Sequence, residues 1–97
     1  MAEDYKDTPF LRALGKIVKQ QRQRMGASQE QLAELAGLHR TYVSDIERGL
    51  RNLTVSSANR IATGLNVPIS FLIAEAEKFL AEFPETRPRI NGLDQKN

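Results

Sequence analysis

The segment that decides how this chain is arranged is Leu38-His39-Arg40-Thr41-Tyr42-Val43-Ser44-Asp45-Ile46-Glu47-Arg48-Gly49. It predicts one short helix that ends at Gly49, because glycine readily adopts the left-handed conformation that terminates a helix. Val43 and Ile46 lie three residues apart and share one apolar face. Polar side chains occupy the other faces, so one side of the helix suits a core and the other side suits hydrogen bonding.

The residues before this segment predict a second short helix. Ser28 is a good N-cap, and Gln31 completes a capping box three positions later. Gly37 ends the helix, and its apolar stripe is made by Leu32, Leu35 and Ala36. Two short helices joined by a tight turn that contains glycine have the layout of a helix-turn-helix, whose second helix presents polar groups to base edges in a DNA major groove.

Three stretches of the sequence resemble the Cro/CI/XRE-type helix-turn-helix regulators. They are Ser28-Gln29-Glu30-Gln31-Leu32-Ala33, residues 42–49 and residues 60–67. Within that family, Arg40-Thr41-Tyr42 and Arg51-Asn52-Leu53-Thr54 are similar to the small controller proteins of restriction–modification systems. The resemblance runs from about Leu14 to Leu72. It implies an all-α fold, a five-helix bundle of the lambda-repressor-like type with the helix-turn-helix formed by helices 2 and 3.

Composition divides the chain into three segments. Residues 1–7 are predicted to be a flexible acidic arm, and residues 84–97, which are rich in polar residues, a disordered tail. Residues 8–83 form the predicted DNA-binding domain. Its last helix, at about 68–83, is assigned to dimerisation.

The remaining helix boundaries are marked by residues that begin or end helices. Thr8 and Pro9 suit the start of the first helix, and Gly26 suits its end. Thr54 is expected to cap the fourth helix, and Asn66 to leave it in the left-handed conformation usually given to glycine. Inward positions repeat every three or four residues; in the first helix they are Leu11, Leu14, Ile17 and Val18, and in the fourth Val55, Ala58, Ile61 and Ala62.

The fifth helix, which Pro68 begins, carries more apolar surface than a small core requires. Surplus apolar surface on a helix usually marks a partner, and a two-fold symmetric dimer matches a palindromic DNA site. We therefore expect a homodimer interface made by Leu72, Ala76, Phe79, Leu80 and Phe83. The alternative is that this helix packs over the chain's own core.

Base reading is assigned to the polar face of the third helix. Arg40 carries the planar fork that matches O6 and N7 of guanine, and Thr41 offers a hydroxyl to a base edge or a methyl to thymine. Asp45 either accepts a hydrogen bond from cytosine N4 or holds Arg40 or Arg48 in place. The second role is favoured because a carboxylate near phosphates is costly. The candidate base contacts are Arg40, Thr41, Ser44 and Asp45.

Phosphate contacts are expected to supply much of the DNA affinity. Gln29 can offer a side-chain amide and a helix N-terminal N–H to a phosphate, and the family resemblance implies that role. His39 is expected at the start of the third helix, where it caps the helix or contacts the DNA backbone. The candidate phosphate contacts are Gln29, His39, Tyr42, Arg48, Arg51 and Asn52.

Arg22 lies near the apolar stripe of the first helix and could pair with Glu47 of the third. The family resemblance implies such a pair, as a partly buried link that fixes the orientation of the recognition helix. The alternative is an exposed arginine. If the pair is buried, removal of one partner should cost several kcal/mol.

Composition argues against several other classes of protein. The chain has no cysteine, which excludes disulfides and thiolate metal sites, and a cytoplasmic location is expected. No apolar run approaches the roughly 20 residues that span a bilayer, and no signal peptide is visible, so no membrane partner is expected. One histidine cannot form a metal site alone, and no nucleophile is paired with a base. We therefore expect neither an enzyme nor a cofactor.

Charge is distributed unevenly although the net charge is only +2. Residues 8–60 contain nine basic and four acidic side chains, whereas residues 61–83 contain one basic and three acidic side chains. A basic front and an acidic rear would orient the molecule on a polyanion.

The leading hypothesis is a dimeric transcription regulator that binds a palindromic double-stranded DNA operator, with its recognition helices in successive major grooves. The resemblance implies regulation of a nearby promoter. Controllers of restriction–modification operons regulate their own gene, as activators at one operator occupancy and repressors at a higher one. RNA polymerase is then a further candidate partner. The alternatives are a phage or mobile-element repressor and an antitoxin whose last helix binds a toxin.

Overall fold

Five α-helices make up the regular secondary structure of residues 8–82, the part of the chain that the computed structural model describes. Their bounds are α1 Thr8–Arg24, α2 Gln29–Ala36, α3 Arg40–Glu47, α4 Val55–Gly64 and α5 Ile69–Glu82. The all-α class and the five-helix order predicted from the sequence are confirmed. The arm predicted at 1–7 and the tail predicted at 84–97 lie outside the described residues, as does the side chain of Thr8.

Side-chain caps begin α2 and α4 where the sequence predicts them. Ser28 Oγ accepts a hydrogen bond from the Gln31 N–H at 3.0 Å, and Gln31 Oε1 accepts one from the Ser28 N–H at 2.8 Å. Thr54 Oγ1 accepts a hydrogen bond from the Ser57 N–H at 3.0 Å. Each N-cap contributes about 1 kcal/mol to helix stability, which defines the start of these two short helices.

Left-handed residues follow α2 and α4, also as predicted. Gly37 has φ 71° and Asn66 has φ 61°. Asparagine is among the few residues other than glycine that adopt this region routinely, so the chain can reverse at Asn66. The third helix is shorter than its segment suggests. It begins after His39 and ends at Glu47, with Arg48 as its C-cap.

The core is formed by all five helices. α1 packs against α3 and α5, α2 packs against α3 and α4, and α4 packs against α5. The largest fully buried side chains come one from each helix: Val18, Leu32, Val43, Ile61 and Leu72. An isolated helix as short as α3 would be unstable in water. Its structure therefore depends on its contacts with α1 and α2.

Two side chains that were expected to face inward are exposed instead. Leu35 is 57% exposed and Val55 is 79% exposed. In α2, Ala33 is buried where the pattern predicts Leu35. In α4, the buried face begins one turn later, at Ala58. In so short a helix, apolar spacing alone does not determine which edge of the stripe turns inward.

The apolar stripe of α5 mainly serves the chain's own core, which is the alternative to a dimer interface. Leu72 is 1% exposed and Ala76 is 0% exposed, because α5 lies against α1. The prediction that these two side chains contact a partner is therefore wrong, since the chain itself already covers them. Phe79 and Leu80 are half-buried against the same core, and Phe83 lies outside the described residues.

α1 passes very close to the end of α3 at Gly15. A Cβ at this position would lie 2.7 Å from the carbonyl oxygen of Glu47 and would also clash with the carbonyl oxygen of Ile46. Both oxygens belong to the backbone, so no side-chain rotation relieves the clash. A glycine inside a helix usually lowers stability by about 0.5–1 kcal/mol relative to alanine. Here it allows the two helices to pack.

We expect Gly15→Ala to lower the free energy of unfolding by about 1–3 kcal/mol, the usual cost of overpacking. Urea denaturation followed by circular dichroism measures the change. Gln20→Ala, at an exposed position of the same helix, is the control and should change stability by less than about 0.5 kcal/mol. A more stable Gly15→Ala protein would show that α1 and α3 can separate at little cost.

Candidate nucleic-acid interface

The two faces of α3 differ sharply in burial. Val43 is 0% exposed and Ile46 is 2% exposed on the side that meets α1 and α2. Arg40 and Thr41 are exposed, and Ser44 is partly exposed. Helical periodicity thus gives α3 an inward face that attaches it to the core and an outward face that is available to a major groove.

Glu47 is the only charged residue that is buried among residues 8–82, and a set of hydrogen bonds surrounds its carboxylate. Arg22 Nε donates to Oε2 at 2.6 Å, and Arg22 Nη2 donates to Oε1 at 3.0 Å. Gln29 Nε2 also donates to Oε1, at 3.0 Å. Arg22 Nη1 donates to the carbonyl oxygen of Ala27 at 2.8 Å. This network, which we call the Glu47 network, joins α1, α2, α3 and the loop between the first two.

The bidentate pair between Arg22 and Glu47 is the one that the family resemblance implies. The two side chains are 11% and 3% exposed, which excludes the alternative of a solvent-exposed arginine. The hydrogen bond that Arg22 donates to Glu47 raises the pKa of Arg22 above its already high ordinary value, and the charge of Glu47 acts in the same direction. The guanidinium therefore stays charged at any physiological pH.

The Glu47 network changes the role expected of Gln29. Its side-chain amide was expected to reach a phosphate, but the amide nitrogen donates to Glu47 instead. The Gln31 N–H in the first turn of α2 is capped by Ser28 Oγ, so the backbone N–H groups of Gln29 and Glu30 remain, and such groups have no partner within their own helix. A phosphate contact at this position would therefore rest on the backbone of α2 rather than on the Gln29 amide.

Asp45 lies between two arginines on the outward side of α3. Its Oδ1 accepts from Arg48 Nη2 and its Oδ2 from Arg51 Nη2, each at 3.1 Å. The guanidinium of Arg51 also lies 4.5 Å from the centre of the Tyr42 ring, a favourable cation–π distance. Asp45 therefore holds Arg48, as one interpretation predicted, and Arg51 as well, whereas Arg40 is not its partner.

His39 caps α3. Its Nδ1 accepts a hydrogen bond from the Thr41 N–H at 3.1 Å, which satisfies one of the free N–H groups at the helix start. A neutral imidazole that accepts through Nδ1 carries its proton on Nε2. His39 can therefore cap α3 and still offer an N–H to a phosphate, so its two expected roles are compatible.

Arg60 has a structural role that sequence reasoning missed. Its Nη1 donates to the carbonyl oxygen of Gly37 at 3.2 Å, which links α4 to the turn between α2 and α3. In the sequence, Arg60 is only one basic residue among others. A carbonyl at the end of a helix is a common partner for arginine, but the distance of 23 residues hides this pairing.

The described residues contain no group of three or more His, Cys, Asp or Glu side chains that could hold a metal ion. Among the helices of this part of the chain, none has the length and apolar character needed to cross a membrane. Every buried side-chain nitrogen or oxygen atom in residues 9–82 has a hydrogen-bond partner. Among these residues, the polar groups that are free to bind a ligand therefore lie on the surface, and those of α3 are among them.

The sequence model of the helix-turn-helix family matches residues 18–72, which is more than half of the chain. This chain belongs to the helix-turn-helix family of DNA-binding regulators. Its relatives include control protein C.SmaI of Serratia marcescens. The two are 43% identical over 60 residues, which cover 62% of this chain and 71% of that protein.

Solved structures of restriction–modification controller proteins have the same fold. C.AhdI from Aeromonas hydrophila gives a TM-score of 0.63 at 39% identity, and the match covers 64% of this chain and 94% of C.AhdI. Wild-type C.Esp1396I gives a TM-score of 0.69 at 36% identity, covering 75% of this chain and 95% of that one. Controller proteins are thus relatives of this chain, which confirms the resemblance seen in its residues.

We expect Glu47→Ala to lower the free energy of unfolding by about 3–5 kcal/mol, because it leaves the charge of Arg22 buried without its partner. Glu75→Ala is the control. It breaks the more exposed pair between Glu75 and Lys78, whose N–O distance is 3.3 Å, and should cost less than about 1 kcal/mol. Urea denaturation compares the two variants.

A double variant, Arg22→Met with Glu47→Leu, separates the pair from the packing around it. It should regain much of the stability lost in Glu47→Ala, because no unpaired charge remains buried. If Glu47→Ala cost no more than the control, the Glu47 network would not be what holds α3.

Proposed function

We propose that this protein is a dimeric, sequence-specific transcription regulator that binds a palindromic operator and controls a restriction–modification operon, including its own gene. The observation that carries the proposal is the division of α3 into an attached inward face and an exposed outward face. The Glu47 network fixes its inward face, while Arg40, Thr41 and Ser44 stand on the outward face. A helix held in this way presents the same groups to every half-site. The controller proteins among its relatives support the choice of operon.

In this proposal the outward face of α3 reads bases. Arg40 binds O6 and N7 of a guanine, and one such bidentate contact is worth about 1–3 kcal/mol of discrimination. Thr41 and Ser44 add hydroxyl groups, which donate to or accept from base edges, and Thr41 adds a methyl that suits thymine. These three side chains lie within the first five residues of α3, the end that enters the groove in a helix-turn-helix.

Phosphates on both sides of the groove bind the residues that flank this face. The N-terminal N–H groups of α2 bind one phosphate, as the positive end of a helix dipole favours. Further phosphate contacts come from the two ends of α3 and the segment after it, through His39, Tyr42, Arg48, Arg51 and Asn52. Such contacts fix the register of the protein on the duplex but carry no sequence information of their own.

The second subunit binds through the outer surface of α5. Leu80 and Ile73 are half-buried and lie beside the line of core residues on this helix, so part of each side chain reaches solvent. A two-fold axis next to α5 would place two copies of α3 on successive major grooves. Because Leu72 and Ala76 belong to the core, α5 keeps less apolar surface than its stripe suggested. This weakens the antitoxin alternative.

In this proposal, the concentration of the protein in the cytoplasm determines how strongly the operon is transcribed. At low operator occupancy the bound dimer assists RNA polymerase, and at higher occupancy further dimers block the promoter. The family resemblance suggests this order of events. It requires no cofactor and no catalytic residue.

Selection of bound duplexes from a random pool tests this function, with Arg40→Ala as the informative variant. The wild-type protein should enrich an inverted repeat. Arg40→Ala should lose preference at one position in each half of that repeat, at a cost of about 1–3 kcal/mol per contact. Arg24→Ala removes the same charge from an exposed position at the end of α1 and should keep the full preference.

Two results would contradict the proposal at different points. If the wild-type protein enriches no sequence, sequence-specific regulation is wrong. If it enriches a repeat but Arg40→Ala loses the same affinity for the repeat and for random duplexes, Arg40 contacts phosphate and does not read a base.

We expect Leu80→Asp to convert the dimer into monomers, because it places a carboxylate in the proposed subunit interface. Sedimentation equilibrium measures the mass, and circular dichroism checks that the helices remain. Leu35→Asp, at an exposed leucine of α2, is the control and should stay dimeric. A dimer that survives Leu80→Asp would place the subunit interface elsewhere on the molecule.

A further inference from the structure

We propose that Asp45 sets the specificity of DNA binding by holding Arg48 and Arg51 away from DNA that is not the operator. The proposal rests on the function proposed above, because it concerns how the same face of α3 separates one sequence from another. Both oxygens of the Asp45 carboxylate are engaged, each by one arginine at 3.1 Å. The Asp45 carboxylate therefore pairs with two cationic side chains that would otherwise be attracted to any DNA duplex.

The arrangement keeps the acid covered and the arginines in reach of solvent. The Asp45 side chain is 21% exposed, whereas those of Arg48 and Arg51 are 63% and 44% exposed. Arg51 is held a second time by the ring of Tyr42, at 4.5 Å. In the free protein, the carboxylate thus lies beneath the two guanidinium groups that a phosphate would approach.

A phosphate must compete with Asp45 for these arginines. Each arginine that turns to the DNA leaves the carboxylate with one partner fewer and close to a second negative charge, so the exchange costs energy. A random duplex offers only phosphate contacts in return. On the operator, the base contacts of Arg40 and Thr41 fix the register of the duplex. Each arginine uses only one Nη2 donor for Asp45, so at that register it can bind a phosphate through its other N–H groups and keep Asp45, and the cost is avoided. Specificity is a difference between two affinities, and a penalty on the wrong complex increases it.

Asp45→Asn tests the proposal, because it removes the charge and nearly keeps the shape. We expect the affinity of the full chain for a random duplex to rise about tenfold, and its affinity for the selected operator to rise less. The ratio of the two affinities should therefore fall. The slope of log affinity against log salt concentration on random DNA should steepen by about one to two, since each freed arginine displaces about one counterion. Fluorescence anisotropy titrations measure all of these quantities.

Glu75→Gln is the matched control. Like Asp45, Glu75 forms an ion pair with a basic residue three positions later, which is Lys78, but this pair lies on α5. Glu75→Gln makes the same change in net charge as Asp45→Asn. It should leave the salt slope and the affinity ratio unchanged. Sedimentation equilibrium establishes that both variants have the wild-type oligomeric state. Asp45→Ala should behave as Asp45→Asn does, which rules out a new contact from the asparagine amide.

Arg51→Gln adds a direct test of the coupling. It should cost more affinity for random DNA when residue 45 is asparagine than when it is aspartate, because only the freed arginine reaches a phosphate. Equal losses in the two backgrounds would show that Asp45 does not restrain Arg51.

The remaining outcomes are distinguishable. If Asp45→Asn and Glu75→Gln raise random-duplex affinity alike, only net charge matters and the proposal is wrong. If Asp45→Asn weakens random binding, Asp45 aims the arginines at phosphate, which also overturns it. If random binding is unchanged and one base preference is lost, Asp45 reads a base. A wild-type protein that selects no sequence would refute the proposed function, and this proposal with it.

Discussion

The carboxylate of Glu47 accepts three hydrogen bonds from two other helices, and the orientation of α3 depends on them. Apolar contacts through Val43 and Ile46 hold the helix to the core, but such contacts are not directional. They would tolerate some rotation of α3 about its own axis. Hydrogen bonds weaken steeply when their angles change, so the Glu47 network fixes that rotation. The direction in which the outward face points is thus determined by an interaction on the inward face.

Other contacts reinforce the same element from different sides. Gly15 allows the backbone of α1 to meet the last carbonyl groups of α3 without an intervening side chain. Arg60 holds the turn before α3 through the carbonyl of Gly37. The Arg22 guanidinium that binds Glu47 also donates to the carbonyl oxygen of Ala27, which links the loop between α1 and α2 to the same network. Both ends of a short helix are therefore anchored, and little of its position depends on its own intrinsic stability.

Most of the fold was predictable because its signals are local. The capping box at Ser28, the cap at Thr54 and the left-handed Asn66 each depend on residues within four positions along the chain. Burial was less predictable. Ala33 rather than Leu35 faces the core because its neighbours in α3 and α4 decide which edge of α2 turns inward. For the same reason Leu72, expected at a partner's surface, is covered by its own chain.

The side-chain pairings around α3 were predicted only in part. The pair between Arg22 and Glu47 followed from family resemblance. The engagement of Gln29 by Glu47 and of Arg51 by Asp45 did not follow, because both join residues whose separation in space is set by the fold. Gly15 is the clearest case. It matters because it has no side chain, and the backbone that a Cβ there would clash with lies more than thirty residues further along the chain.

The division of α3 into an attached face and a free face affects how such a protein can evolve. Substitutions at exposed positions usually change stability by less than about 0.5 kcal/mol, so Arg40 and Thr41 can be replaced while the scaffold survives. In the proposed mode of binding, a duplicated gene could thus acquire a new target one substitution at a time, with every intermediate still folded. The inward face permits no comparable drift, because a change at Glu47 disturbs three helices at once. The proposed recognition face and the attached face can therefore change independently, although both lie within the same eight residues.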